Sequence, residues 1–432
     1  MPTVAYLANR FPSAVEPYVG EEIQELRRRG VQVIPGSVRK TDATRCERVA
    51  AGSESEILCL QPVRLLTLLR ALGLAARHWE RIADLVARVL LRGRESPGRR
   101  LKALLHTVLG AYYAVLLRGR GVEHIHVHHG YFGSWIAMVA ARLLGVSFSL
   151  TLHGSDLLLD GAYLDSKLKA CRFCITISEY NRRYILKHFP AIAPGKIVVS
   201  RLGVDVGEPA EPPKKDRDHD SRHCFTLLAV GRLHAVKDHA FLVRACAQLR
   251  DRGLEFECVI AGEGPERPHL ELLIRKNRLQ DRLTLLGHVP RPQMDALYRR
   301  ADVVVLTSRS EGIPLVLMEA MARGKIVLAP AITGIPEIVI AGGTGFLYAP
   351  EVLEDFVARV FFLQQLMRRE DGAAVSGLNW IRHAARVQVL RNFSSRKNLT
   401  RFGDRFLQRI ATQEVPAQDW SPPHEDFVLQ QI

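Results

Sequence analysis

Residues 303–322 read Val303-Val304-Val305-Leu306-Thr307-Ser308-Arg309-Ser310-Glu311-Gly312-Ile313-Pro314-Leu315-Val316-Leu317-Met318-Glu319-Ala320-Met321-Ala322. The run of valines predicts a buried strand. A polar loop follows, and apolar residues then recur at helical spacing. Pro314 suits the first helical position, where its missing N–H is not needed. Gly324 ends the helix, and residues 326–329 give the next strand. Strand, helix and strand in this order predict a parallel sheet.

The same alternation extends upstream, with strands expected at 226–230, 255–261, 283–286 and 302–306 and helices at 238–250, 268–277 and 292–299. It stops at residues 205–224, where Pro209, Pro212 and Pro213 stand among Lys, Asp, Arg and His with few apolar residues. That composition marks a linker. Before it lie strands at 3–7, 31–34, 124–128, 147–152, 175–178 and 197–200, with helices at 19–29 and 134–144. The expected fold class is therefore α/β, with two doubly wound Rossmann-like domains, 1–204 and 225–390, facing a cleft. Ligands of such sheets sit outside the carboxyl ends of the strands. Residues 411–432 hold four acidic residues and no Lys or Arg, and are expected to be a flexible tail.

The chain of 432 residues has ordinary globular usage, with 47% apolar and 24% charged residues. This excludes a disordered, collagen-like or low-complexity chain. Seven cysteines are too few for a disulfide framework. Cys171 and Cys174 read as core thiols rather than a metal or redox pair. No leader is expected at the N-terminus. The best membrane-span candidate, residues 103–117, is shorter than the ~20 residues a crossing helix needs.

The formal charge of +15 is uneven. Residues 61–120 form a helical insert with twelve Lys or Arg against three Asp or Glu, interleaved with leucines. Arginine stems can lie on apolar surface while their heads meet lipid phosphate. An anionic membrane surface is the expected partner, and a solvated basic face is the plainer alternative. Nucleic-acid binding is a rival reading of the charge. The insert lacks the interleaved aromatics that stack bases, so no nucleic-acid partner is expected.

Glu311 and Glu319, read as one helix, stand about 12 Å apart. This exceeds the ~5–5.5 Å of a retaining glycosidase pair. Spacing alone leaves two readings: carboxylates that hold hydroxyls on two parts of an extended ligand, or a stabilised helix start with a solvated Glu319. His124, His126 and His128 share one strand face at steps of ~6.8 Å, too wide for neighbouring metal ligands. No metal site and no cofactor are expected.

The Glu311-x7-Glu319 spacing, with Ser310-Glu311-Gly312-Ile313-Pro314, resembles retaining nucleotide-sugar glycosyltransferases of family 4, which have the GT-B fold. Gly231-Arg232-Leu233 with Lys237, Ala261-Gly262-Glu263-Gly264-Pro265, Leu286-Gly287-His288-Val289 and Thr333-Gly334-Ile335-Pro336-Glu337 are similar too. So are Thr151-Leu152-His153-Gly154-Ser155-Asp156 and Phe11-Pro12-Ser13 with Glu21-Glu22-Ile23. The flavour is that of bacterial exopolysaccharide transferases of the colanic-acid type.

The resemblance implies a sugar transfer from a UDP- or GDP-linked donor to a lipid-linked saccharide, at the cytoplasmic face of a membrane. It implies that Arg232 and Lys237 meet the donor diphosphate, Glu311 the sugar and Glu319 the ribose. Gly312, Ile313 and Pro314 would line the sugar-phosphate pocket, Gly287 and Val289 would meet the base, and His153 would stand in the cleft near the reacting sugar. His128, His129 and Asp156 would belong to the acceptor side. Residues 391–410 would form a helix returning to the first domain. Many members carry a Gly-Gly loop after the first strand, whereas this chain reads Ala14-Val15-Glu16-Pro17-Tyr18-Val19-Gly20. Glu16 or Tyr18 is therefore expected on the acceptor side. A non-catalytic GT-B scaffold at the membrane is a further reading.

Overall fold

The computed structural model describes residues 1–13, 16–40, 57–92, 95–159, 161–205, 224–369 and 371–412. Most of the expected linker, the tail from 413 onward, and Ala14 and Val15 lie outside the described residues.

The first half runs β1 (Thr3–Ala8), α1 (Pro17–Arg28), β2 (Gln32–Ser37), β3 (Leu58–Cys59), α2 (Leu65–Arg77), α3 (Ala83–Leu90), α4 (Pro97–Leu117), β4 (His124–His128), α5 (Phe132–Leu144), β5 (Ser147–Leu152), α6 (Ser155–Leu158), α7 (Leu164–Ala170), β6 (Cys174–Thr176), α8 (Glu179–His188) and β7 (Ile197–Val199). Its sheet is parallel, in the order β3-β2-β1-β4-β5-β6-β7. The chain reverses direction across the sheet between β1 and β4, which is where such folds open a crevice.

The second half runs β8 (Phe225–Val230), α9 (His239–Asp251), β9 (Phe256–Ala261), α10 (Arg267–Lys276), β10 (Leu283–Gly287), α11 (Arg291–Arg300), β11 (Val303–Val305), α12 (Leu315–Ala322), β12 (Ile326–Pro330), β13 (Phe346–Tyr348), α13 (Leu353–Arg368), α14 (Gly372–Asn392) and α15 (Ser395–Ala411). Its parallel sheet is ordered β10-β9-β8-β11-β12-β13. The central strands are buried on both faces, so β1, β8, β11 and β12 read as largely apolar runs, whereas the edge strand β10 leaves Thr284 and Leu286 exposed and β4 carries three buried histidines.

Local chemistry sets the element ends. Pro17 and Pro97 stand in the first turns of α1 and α4, where a missing N–H costs nothing. Side chains of Ser178, Asp238 and Asp371 cap α8, α9 and α14 by accepting from Asn181, Phe241 and Ala374 amides. The helix α15 crosses back to the first half. There Phe402 and Phe406 pack with Val4, Tyr6 and Ile23, and Arg29 donates to Asp404 at 2.5 Å.

Two expectations change in detail. Pro314 is the residue before α12, not its first helical position, so Glu311 lies in a non-helical loop and the 12 Å helical separation does not apply. The apolar run at 103–117 belongs to a longer helix, α4, whose Ala103, Ala111, Tyr113 and Ala114 are buried in the first core. Among the described residues, no helix is long and apolar enough to cross a membrane.

Candidate active site

The two halves meet at the ends of β5 and β11. A Cβ built on Gly312 would fall 1.8 Å from the His153 carbonyl oxygen, and one on Gly334 2.1 Å from the Gly312 oxygen. Only a residue without a side chain allows this approach. Gly312 thus joins the loop before α12, the loop after β12 and the turn that bears His153. A second link lies nearby, where the Glu337 carboxylate accepts from the Glu179 and Tyr180 amides at the start of α8, at 3.1 and 2.7 Å.

On the second-half side, Lys237 Nζ donates to Glu311 Oε1 at 2.5 Å, and Ser308 Oγ donates to the same oxygen at 2.6 Å. Lys237 ends a short turn before α9 rather than opening that helix, whose cap is Asp238. Thr307 Oγ1 donates to the Lys237 carbonyl and Arg309 to Asp238, which ties this turn to the loop after β11. Glu319 lies on α12, where Tyr298 Oη donates to it at 2.9 Å. Arg232 is exposed, and its charge acts on Glu16 and Tyr18 of the opposite half. Ile313 and Pro314 are buried beneath the loop. Gly287 ends β10 with φ 75°, accepting from the Gly262 amide at 2.8 Å, and Val289 is half-buried beyond it.

On the first-half side, β4 and β5 deliver the histidines. His124 and His126 are not ligands in waiting. Their nitrogens lie 2.7–3.0 Å from the hydroxyls of Ser147, Ser149 and Thr151 on the neighbouring strand. Burial holds both rings neutral, His124 down to about 3. His128 is fully buried too. Its Nδ1 lies 2.9 Å from His153 Nε2, and its Nε2 lies 3.1 Å from Glu22 Oε2 and 3.0 Å from Tyr6 Oη. It stands behind His153 and offers no open group to an acceptor.

Asp156 is likewise internal. It does not cap α6, whose cap is Gly154; instead its carboxylate accepts from the His153, Gly154 and Gly130 amides. The adjacent His129, aided by His153 and the Gly130 amide, overcomes burial and holds it well below the usual carboxylate range. His129 sits at φ 71° at the end of β4, with Nε2 2.8 Å from Glu16 Oε1 and Nδ1 at ion-pair distance, 3.6 Å, from Asp156. Burial would neutralise it, but the two carboxylates push it up to about 10. His153, by contrast, is held below its ordinary value by burial and by the neighbouring His129 and His128. Tyr18 covers it, ring centroids 4.8 Å apart. The site thus holds a fixed cation at His129 beside a neutral imidazole at His153.

Glu22, His126 and His128 place metal-ligating atoms within 4.8 Å of one another. A metal there would have to displace the Ser149, Thr151, His153 and Tyr6 partners of these groups. The donor set therefore fits a hydrogen-bonded core better than an ion.

Of the residues singled out from the sequence, the structure gathers Glu16, Tyr18, His129 and His153 on one side and Lys237 with Glu311 on the other, joined through Gly312, while Glu22, Tyr6, Ser308 and Tyr298 were not singled out. Their signals are weak in one dimension, because each acts through a partner remote in sequence. Thr333 is a β-branched residue at φ 46° whose buried hydroxyl has no hydrogen-bond partner among the described residues, beside the Gly312–Gly334 contact.

Two family profiles match consecutive stretches of the chain. Glycosyltransferase family 4 covers residues 15–208, and glycosyl transferases group 1 covers 214–367. The chain belongs to the family 4/group 1 glycosyltransferases. A putative colanic acid biosynthesis glycosyltransferase of Salmonella typhimurium is 35% identical over 173 residues, 39% of this chain and 42% of that relative. The amylovoran biosynthesis glycosyltransferase of Erwinia amylovora is 35% identical over 36% of this chain and 39% of its own length. The chain thus spans less than half the length of these curated relatives. In fold it resembles the sucrose-phosphate synthase of Thermosynechococcus elongatus, at a TM-score of 0.71 and 18% identity over 94% of this chain and 99% of that one. It also resembles Anabaena HepE in complex with UDP-glucose, at 0.68 and 17% over 94% and 100%. This is the GT-B arrangement of two Rossmann-like halves.

Proposed function

We propose that this chain is a retaining glycosyltransferase that moves a sugar from a nucleotide-sugar donor to a hydroxyl of a lipid-linked saccharide, in cell-surface or exopolysaccharide synthesis. The observation that carries the reading is the cation–carboxylate pair Lys237–Glu311 facing His153 across the Gly312 contact. Arg232 and Lys237 would take the negative charge that grows on the leaving diphosphate, a task that needs no metal when two cations are in place. Glu311 would hold the donor sugar and Glu319 the ribose, with the base beyond Gly287 and Val289. The bond from the anomeric carbon to the phosphate oxygen breaks, and the acceptor oxygen bonds on the same face. Its proton passes to the leaving phosphate. Closing of the two halves excludes water from this step. The HepE complexes with UDP and with UDP-glucose support a UDP-linked donor as the first to try.

The lipid-linked acceptor and a peripheral place on the cytoplasmic face rest on the insert. Leu65, Leu66, Leu69 and Leu72 of α2 and Leu101 and Leu105 of α4 are exposed among arginines. Each basic residue near an anionic leaflet contributes roughly 1 kcal/mol.

A thermal-shift panel of UDP, GDP, ADP and CMP with their sugar conjugates tests the donor reading. A ligand at 100 times its dissociation constant stabilises by ~2.7 kcal/mol. One nucleotide is expected to shift the wild type and not Glu319→Ala. No shift from any of them overturns the donor site.

A further inference from the structure

The chain crosses between the halves where Val204 pairs with Phe393 and Ser395, at 2.9 and 3.0 Å. A crossing of this kind acts as a hinge. It fixes where the halves join and leaves the angle between them to contacts across the cleft. Those contacts differ in kind. The Gly312–His153 approach is a fit of surfaces and sets only how close the halves can come. Ile177, just beyond β6, packs with Ile313 and Ile335 of the second half, an apolar contact without direction. Glu337 supplies direction. Its two oxygens accept from the Glu179 and Tyr180 amides at 3.1 and 2.7 Å, and Arg201 of the first half stands 3.5 Å from Oε2. Two parallel N–H···O bonds constrain orientation as well as distance.

The donors in this contact are ones that α8 cannot satisfy by itself. Its first intrahelical bond runs from the Arg182 amide to the Ser178 carbonyl. The amides of Glu179, Tyr180 and Asn181 come earlier and have no acceptor within the helix. Ser178 Oγ takes the Asn181 amide at 3.1 Å, and Glu337 takes the other two from the opposite half. A carboxylate there also meets the favourable end of the helix dipole. Glu337 is held in place in turn, because its short turn, Ile335–Glu337, is flanked by the fully buried Ile335 and Ile338.

We propose that Glu337 is a positioning residue that locks the second half onto the start of α8, so that the closed cleft, with Lys237 and Glu311 facing His153, forms before any nucleotide binds. Among the described residues, Glu337 makes no hydrogen bond or ion pair with Arg232, Lys237, Glu311 or Glu319. It acts through the angle between the halves. The effect on turnover rests on the donor reading above, whereas the lock itself does not.

The first readout is made on the ligand-free full chain. Hydrogen–deuterium exchange at the Glu179 and Tyr180 amides is expected to be slow in the wild type and fast in Glu337→Ala, while the Asn181 amide, held by Ser178, stays unchanged. Fast exchange in the wild type, or unchanged protection in a folded Glu337→Ala protein, overturns the lock. Glu179→Pro tests the same contact from the other side. Proline suits the first helical position, and Ser178 before it is already extended at φ −146° and ψ 157°, so the helix and its cap are kept while one donor is lost. Both variants are expected to be larger than the wild type in small-angle scattering.

The second readout is turnover with the donor found by thermal shift. In Glu337→Ala kcat is expected to fall on the order of 10²-fold, the cost of a misplacement of about 1 Å. Glu179→Pro should fall in the same direction. Nucleotide affinity should stay near wild type in both, because the groups assigned to the donor lie on the second half; a general folding defect would lower both quantities. An unchanged kcat in variants whose cleft has opened overturns the positioning role. Should Glu337→Ala not fold, Glu179→Pro decides, and a compact Glu179→Pro protein with wild-type kcat overturns the proposal. Should no nucleotide sugar be turned over, the donor reading fails, while exchange and scattering still decide the lock.

Discussion

The backbone of Gly312 lies against the carbonyl of His153 so closely that a methyl group on Gly312 would fall 1.8 Å from that oxygen. The obstacle is main chain rather than the end of a flexible side chain, so the two halves must separate to admit it. Gly312→Ala is expected to keep each half folded but part the cleft. A misplacement of about 1 Å costs on the order of 10²-fold in rate. Small-angle scattering of the variant beside its turnover checks this, and a compact, fully active Gly312→Ala protein contradicts it.

Lys237 and Glu311 pair at 2.5 Å with side chains only 20% and 10% exposed, so the pair loses neither charge without cost. Its importance is expected in turnover. Lys237→Met removes a cation aimed at the developing charge, and such losses cost roughly 10²–10³-fold in kcat. The melting temperature is also expected to fall, because Lys237→Met leaves the mostly covered Glu311 carboxylate without its cation. Rates of the two proteins with the donor found by thermal shift, measured alongside their melting curves, separate the two effects.

Tyr298 holds Glu319 through one hydrogen bond of 2.9 Å. Tyr298→Phe keeps the packing and removes only the hydroxyl. A net loss of about 1 kcal/mol corresponds to roughly fivefold weaker nucleotide binding. Calorimetric titration with the nucleotide is the measurement, and unchanged affinity excludes Tyr298 as the support of Glu319.

His129 is expected to make the protein less stable at alkaline pH. Its folded value of about 10 lies above the ordinary value of about 6.5. Its stabilisation is therefore complete below pH ~6.5 and is lost as pH rises towards 10. The melting temperature of wild type minus that of His129→Gln should shrink steadily over pH 7–10. A constant difference across that window counts against a charged His129.

The exposed leucines of α2 predict salt-sensitive docking to anionic vesicles. Replacing Leu65, Leu66 and Leu69 together with serine should abolish co-sedimentation while leaving the melting curve near wild type, because all three side chains are exposed. Equal sedimentation of both proteins would remove the membrane reading of the insert.

Much of this molecule was legible in one dimension. Residues 303–322 gave strand, loop and helix, because buried parallel strands are continuous apolar runs and helix faces recur at their own period. The segments 124–128 and 147–152 match β4 and β5 end for end. Helix starts were less legible. Pro314 fits both the first helical position and the residue before it, and only backbone geometry distinguishes them. The two-residue strand β3 carries too short a pattern to stand out, and exists because β2 offers it an edge.

The site divides along the same line. The resemblance to family 4 marked Glu311, Glu319, Lys237, Arg232 and His153, whereas spacing alone left the two carboxylates open between holding a ligand and stabilising a helix start. Charge and accessibility were decided by tertiary structure. His128, His129 and His153 are the same residue type within one short span. One is sealed between Glu22 and its neighbour, one is held charged by two carboxylates, and one stays neutral at the cleft. Those differences come from α1 and α6 folding over the ends of β4 and β5. Desolvation and Coulomb energy depend on distance in space, which the order of residues along a chain does not specify.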